Sequence, residues 1–582
     1  MEKNELKKLI DTAAGRIPAD MVIRNGKIAD VYQGNFVEGD LAVSDGFIAG
    51  IGNYEGRTVV DAAGSWVLPG FIDTHIHIES SYVSPEEIGR LLVPHGGTTI
   101  ISDPHEIVNV CGLAGLEYML QASEETLLDI KLMLPSCVPV TAVEHSGAIL
   151  DAKAMEAPIM DSRILGVGEF MDYPGVIQAL DGVLDKILLA KKAGKIIDGH
   201  SPKVRDKELN AYASARIRTD HECATVEEMH QRISRGMYVM LRQGSACHDL
   251  RNLLKGVTPR NSRFCILCSD DRQPKTMLEL GHLNDHLKIC VEEGLDPMTA
   301  IQMATVNAAE CYSLRDRGGI APGLRADLAL VDDLAKFRVN RVFIQGKLAA
   351  EGGKYLAPVK RRDDTAVRSS FHVKDFSAAR LALPLRSDDV YVIDVRPGSV
   401  VTGKGRAAVR RSPSGCFVYD PALDIAKMTV VERHQNTGNV ALGLIRGYGI
   451  KYGAIALSIA HDSHNIIAVG VSDADIALAV EKLLEQNGGI CLVKDGKTAA
   501  SMPMPLGGLM SDQSGEWVDE KLNVIHEAAF NELLINPAVE PVMTLCFMSL
   551  AVIPELKLTD MGLFDVGKFD FIPVEAEDCG AD

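Results

Sequence analysis

From residue 71 to about 310, short apolar runs alternate with longer stretches of helical periodicity. This is the pattern of βα repeats around a parallel sheet. The runs are Phe71–Ile78, Thr98–Asp103, Ile130–Ser136, Arg163–Glu169, Lys195–His200, Ala215–His221, Gly236–Arg242 and Arg263–Asp270. There are eight, the number of strands in a (β/α)8 barrel. Helices are expected over Pro85–Pro94, Leu113–Thr126, Val176–Ala193, Thr225–Ser234 and Gly281–Glu293. Each apolar run stops at a polar residue: His75/His77, Asp103/His105, Ser136 (with Glu144 and His145 just beyond), Glu169, His200, His221, Arg242 and Asp270. Core packing gives no reason for eight strands to end this way, whereas barrel active sites are built at these C-terminal ends.

The flanks read differently. After an amphipathic helical stretch over residues 1–19 come short strands with glycine turns, at Met21–Arg24, Gly46–Gly52 and Thr58–Asp61. The same signature returns at Arg325–Val331 and Arg338–Ile344, as if one small sheet structure were interrupted by the barrel. The charged stretch at residues 359–368 reads as a linker. Beyond it, strands are expected at Val390–Val395, Lys427–Val431, Ala454–Ile459, Ile466–Val471 and Ile490–Lys494, with helices at Ala474–Gln486 and Glu516–Leu533. The expected fold class is therefore α/β: a (β/α)8 barrel inserted in a small β-sandwich, plus a C-terminal α+β domain. The boundaries are 1–70 for the helix and first part of the sandwich, 71–318 for the barrel, 319–365 for the second part and linker, and 366–582 for the last domain.

Composition narrows the classes. A chain of 582 residues is too long for one core. No window has the ~18 uninterrupted apolar residues of a spanning helix, and the N-terminus lacks a signal peptide's apolar core. A cytoplasmic protein is expected. The net charge of −19 argues against a nucleic acid or an anionic membrane as partner, but not against a small base as substrate. The twelve cysteines are scattered. Cys265 and Cys268 are three apart in one strand, so their thiols face opposite sides and do not read as a zinc or redox pair.

Alternate side chains of a strand share a face, so His75 and His77 point together. Two imidazoles alone do not make a metal site, but the other strand ends supply Glu169, His200, His221 and Asp270. Four imidazoles and two carboxylates suffice for two divalent ions with a shared carboxylate and open positions for water. Such a pair makes hydroxide available at neutral pH. The donors suit Zn, Fe, Mn or Co and do not choose among them.

Pro69-Gly70-Phe71-Ile72-Asp73 followed by the H-x-H motif, with the barrel and its flanking β unit, resembles the amidohydrolase superfamily. Hydantoinases and dihydroorotases carry a carboxylated lysine as the bridging ligand on the fourth strand. Here the strand ends Gly166-Val167-Gly168-Glu169, and a glutamate there resembles the bacterial adenine deaminase family. Also similar are Ser102–Ile107, Val143–Ala148, Asp198–His200, Thr219–Glu222, Cys268–Arg272, His461–Asn465 and Met502–Pro505, so the resemblance spans nearly the whole chain. It implies hydrolysis of adenine to hypoxanthine and ammonia, as in purine salvage, with two divalent metals (Mn or Fe ahead of Zn) and a homo-oligomer, a dimer first. Asp270 is placed to take the proton of the attacking water and return it to the leaving amine. Glu222 and Glu144 are candidates to protonate the ring near N1 or to bind the base edge, and Asp271 to reach the imidazole side. Asp271 reads equally as a loop cap. His105 and Glu106 divide between a substrate role and a structural one, and Arg242 is expected to pair with a carboxylate. His461-Asp462-Ser463-His464 is metal-rich in type and reads first as an interface or loop. The competing readings are another aminohydrolase or cyclic amide hydrolase of the superfamily and, remotely, a non-catalytic barrel scaffold.

Overall fold

The computed structural model describes residues 2–245 and 247–576. It divides into two compact units. The first comprises residues up to Pro104, Met119–Ser136 and Asp151–Arg362, and the second comprises His105–Tyr118, Cys137–Leu150 and the chain from Asp363 onward.

The first unit contains eight parallel strands: β1 Phe71–Ile76, β2 Gly97–Ser102, β3 Asp129–Leu134, β4 Ile164–Phe170, β5 Ile196–Gly199, β6 Thr219–Asp220, β7 Tyr238–Arg242 and β8 Cys265–Cys268. The first five form one sheet in sequence order and the last three another. Backbone bonds join the sheets at both edges. On one side Asp270 N donates to His75 O at 2.9 Å and His77 N to Asp270 O at 3.1 Å. On the other, Arg218 N donates to Ile197 O at 2.9 Å.

The period-two pattern sorts the side chains. Tyr238, Met240, Ile266 and Cys268 join Ile72, Ile101 and Met133 in one buried cluster. Val239, Leu241, Cys265 and Leu267 pack instead with Leu250, Leu283, Leu287 and Ile301. Cys265 and Cys268 thus lie in different clusters, as their spacing requires.

The flanking strands form two sheets. One holds Ala19–Arg24, Asp40–Ser44, Phe47–Gly52 and Gly56–Asp61; the other joins Lys27–Asp30 and Trp66–Pro69 to Leu328–Val331 and Val339–Ile344. Leu328 pairs antiparallel with Pro69, so chain before and after the parallel strands meets in one sheet. Leu328 and Leu330 face Ile23, Leu41 and Ile48, while Ala329 and Val331 face the cluster around Leu241 and Leu267.

In the second unit an eight-stranded sheet has Ile425–Val431 and Ile466–Gly470 near its middle. The helix Asp473–Glu485 packs Ile476, Val480 and Leu483 against Ala456 and Ala468. Three strands of this sheet were not expected: Val440–Arg446, Gly403–Ala408 and Lys497–Pro503. Their glycines and charged residues blur the alternation.

Some boundaries differ from the sequence pattern. The run Ala215–His221 yields only the two-residue β6. The helix expected over Leu113–Thr126 begins at His105 and is broken at Gly112, whose φ of 59° suits glycine. Val176–Ala193 is two helices, Tyr173–Ile177 and Asp181–Lys192.

A buried ion pair supports the short β6. Arg232, on the helix Val226–Ile233, donates from Nε to Asp220 Oδ2 at 2.9 Å, and its other nitrogens donate to Val204 O at 2.8 Å and Ser201 O at 2.6 Å. Asp220 Oδ1 also accepts from Glu222 N at 2.9 Å. Replacing Arg232 by Met leaves a buried carboxylate without its counter-ion, which costs about 3–5 kcal/mol. In urea unfolding, Arg232→Met is expected to be markedly less stable than the Arg232→Met/Asp220→Leu double variant. Equal losses would show that the ion pair is not what holds this edge.

Candidate metal centre

The strand ends bring six side chains together. His75 and His77 follow one another on the same face of β1 and its continuation, with ring centroids 4.7 Å apart. Ile76 and Ile78, which alternate with them in sequence, are buried. Glu169, near the end of β4, lies between the imidazoles. Its Oε1 is 3.3 Å from His77 Nε2, and its Oε2 is 2.8 Å from His200 Nδ1 and 3.2 Å from His221 Nε2. Asp270 Oδ1 is 3.2 Å from His77 Nε2 and 3.8 Å from His75 Nε2. The rings of His75 and His221 stack at 4.2 Å.

Neighbouring groups fix these positions. Asp73 shares the face of His75 and His77. Its Oδ1 accepts from His75 N at 3.2 Å and Ser269 N at 3.1 Å, and its Oδ2 accepts from Ser269 Oγ at 2.6 Å. His282 Nε2 lies 2.9 Å from the same oxygen. This carboxylate ties β1 to the end of β8. Asp103 does the same for β4, accepting from Glu169 N at 2.8 Å. It fits there because residue 168 is glycine: a Cβ at Gly168 would lie 2.0 Å from Asp103 Oδ2.

The donor set fits a divalent cation. His77 Nδ1 lies 3.0 Å from Asp103 O, a carbonyl that can only accept, so this nitrogen carries a proton. The neutral ring then has its lone pair on Nε2, facing two carboxylate oxygens. His75 Nε2 is buried without a hydrogen bond. Lone pairs that converge in a buried space need a positive charge between them. A proton can take that place on His77: burial disfavours its charge, but Asp270 and Glu169 raise its pKa well above the usual imidazole value. Burial likewise pushes the Glu169 carboxyl up, yet His200 and His221 hold it well below the usual carboxylate range.

Arg242, at the end of β7, pairs with carboxylates. Its Nη1 is 2.7 Å from Asp270 Oδ2 and 2.5 Å from Glu222 Oε1, and its Nη2 is 3.0 Å from Asp249 Oδ2. Burial opposes ionisation of Glu222 and Asp270, but Arg242 followed by His200 and His221 lowers the pKa of Glu222, and His77 followed by Arg242 lowers that of Asp270. Glu222 is also 3.4 Å from His221 Nε2. Asp271 follows directly, and its carbonyl accepts from Ser245 N at 2.7 Å.

The other two residues singled out from the sequence belong to the second unit. Glu144 accepts from Ser463 Oγ at 2.7 Å, and burial pushes its carboxyl up to about 8. His105 Nε2 lies 3.9 Å from Asp462 Oδ1. Asp73, Asp249 and His282 were not singled out. Asp73 had a signal, since residues 73, 75 and 77 share one strand face. Asp249 had none, because only the fold brings it to Arg242.

The comparisons with known proteins extend this picture. The Amidohydrolase family matches residues 66–349, the region that carries all six converging side chains. The Adenine deaminase C-terminal domain matches residues 399–570. Adenine deaminase 2 of Desulfotalea psychrophila is 62% identical over 99% of this chain and 100% of its own length. The adenine deaminases of Ligilactobacillus salivarius and Nitratidesulfovibrio vulgaris (strain DP4) are 51% and 49% identical, over 99% and 98% of this chain and 100% and 99% of their own lengths. The residues around the centre thus lie in an amidohydrolase domain, the class of a metal-dependent hydrolase superfamily. Within that class, the chain belongs to the adenine deaminase family.

Gly168→Ala tests the support of Glu169. The new Cβ displaces Asp103 from Glu169 N, and loss of such a supporting bond weakens metal affinity about 10–100-fold. Metal titration of the variant checks this. Unchanged affinity would show that Asp103 does not set the position of Glu169.

Proposed function

We infer that the protein is an adenine deaminase, a hydrolase that converts adenine and water to hypoxanthine and ammonia. Adenine deaminases 44–62% identical over nearly the whole chain support the reaction. The observation that carries the chemistry is Glu169 among His77, His200 and His221, where cyclic-amide hydrolases of the superfamily have a carboxylated lysine.

We propose that His75, His77, Glu169, His200, His221 and Asp270 hold two divalent ions, Mn or Fe ahead of Zn, with Glu169 shared. Ions there would lower the pKa of a water toward neutrality. Asp270 is ionised against Arg242 and His77, so it can accept the proton of the water that attacks C6. The same carboxyl then returns that proton to the departing amine, and ammonia leaves. Arg242 holds Asp270 through Oδ2, which leaves Oδ1 on the imidazole side for the transfer. Glu222 is also ionised against Arg242, which suits it to accept an N–H of the base edge. His105, Glu144 and Asp271 are assigned to substrate binding on the sequence alone.

The proposed architecture is a (β/α)8 barrel over residues 71–318 inserted in a β-sandwich formed by 1–70 and 319–365, with an α+β domain over 366–582. The strand pairings described above support it. We place the protein in the cytoplasm, in purine salvage and as a homodimer. Cys111, Cys223, Cys247, Cys265, Cys268, Cys290, Cys311, Cys416 and Cys491 are free thiols, which suits a reducing compartment. Among the described residues no helix is long and apolar enough to cross a membrane.

Metal-loaded protein is expected to release ammonia from adenine and not from cytosine, guanine, adenosine or dihydroorotate. No ammonia from adenine would overturn the substrate assignment. Asp270→Asn is expected to keep the fold and most of the metal while kcat falls by about 10²-fold or more. A near-normal kcat would remove Asp270 from the proton transfer.

A further inference from the structure

We propose that the second unit holds a divalent transition-metal ion of its own, bound by Glu106, His461 and His464. One ligand atom from each can be chosen so that all three lie within 4.8 Å of one another, and all three residues are buried. Glu106 is in the first turn of the helix that begins at His105. His461 and His464 come from the loop after Ala454–Leu457.

His464 carries the argument. It is fully buried, and neither of its ring nitrogens makes a hydrogen bond. Buried imidazoles normally find a partner, and one that does not requires an explanation, such as an unseen ion. Its Nε2 instead faces Glu106 Oε2 at 3.8 Å. Two donors at 2.0–2.1 Å from a common ion lie about 3.3 Å apart in a tetrahedron and about 4.1 Å apart when opposed. The gap is thus too long for a hydrogen bond and of the right length to be spanned by an ion.

The surroundings hold the loop and leave its side chains facing the cluster. His464 N donates to Ala460 O at 2.8 Å and His461 N to Cys546 O at 3.0 Å. Ser549 Oγ donates to His461 O at 3.2 Å, and Arg433 Nε donates to His464 O. The His461 ring stacks on Phe547 at 4.7 Å. Asp462 Oδ1 is 3.6 Å from His461 Nδ1. A carboxylate beside one ring nitrogen favours the proton there and the lone pair on the other, the usual arrangement around a ligating histidine. Two imidazoles and a carboxylate suit zinc, iron, manganese or cobalt.

The test is metal stoichiometry of the full chain, measured by mass spectrometry after zinc loading and gel filtration. Wild type is expected to carry three zinc ions per chain, and His464→Ala and Glu106→Gln two each. In a Glu169→Ala background, where the centre at the strand ends is disabled, one zinc is expected to remain. It should disappear on adding His464→Ala. Wild-type stoichiometry in both His464→Ala and Glu106→Gln, or no zinc in Glu169→Ala, would overturn the proposal. Full wild-type stoichiometry in Glu169→Ala would instead overturn the centre proposed at the strand ends.

Discussion

The site depends on one buried carboxylate. Glu169 places Oε1 against His77 and Oε2 against His200 and His221, at 2.8 to 3.3 Å. A carboxylate removed from water is costly unless it is paired and hydrogen-bonded, and nothing apolar could replace it among three imidazoles. The groups that surround it are therefore constrained in turn. His77 presents Nε2 because the Asp103 carbonyl takes its other nitrogen. Asp103 in turn fixes the Glu169 backbone, and glycine at 168 makes room for it. These contacts draw on the ends of β1, β2, β4, β5 and β6, so those strands must be in place before the site exists.

That requirement explains where the fold spends its buried polar groups. Asp73 joins β1 to the segment after β8 through Ser269. Arg232 supports the edge at β6, where only two residues pair as a strand. Arg242 holds Glu222, Asp249 and Asp270 around one guanidinium. These pairs add little net stability over apolar packing. They set the positions of the side chains that converge at the strand ends.

Much of this was legible in the chain, for physical reasons that differ from place to place. The face shared by His75 and His77 follows from strand geometry alone, and the polar endings of the other apolar runs marked Glu169, His200, His221 and Asp270. The length of β6 was not legible, because Ala215–Arg218 is apolar and polar by turns whether or not it pairs. Nor was the grouping of His105–Tyr118 and Cys137–Leu150 with the second unit. Local periodicity tells which face of a segment is buried, not which core receives it. Asp249 became visible only once folding placed it beside Arg242.

The proposed sharing of Glu169 between two divalent ions can be measured directly. The direct measurement is an anomalous difference map from crystals of manganese-loaded protein, collected above the manganese edge. Two peaks are expected among His75, His77, Glu169, His200, His221 and Asp270, both within coordinating distance of Glu169. A map with no peak, or only one, within coordinating distance of Glu169 would rule the shared site out.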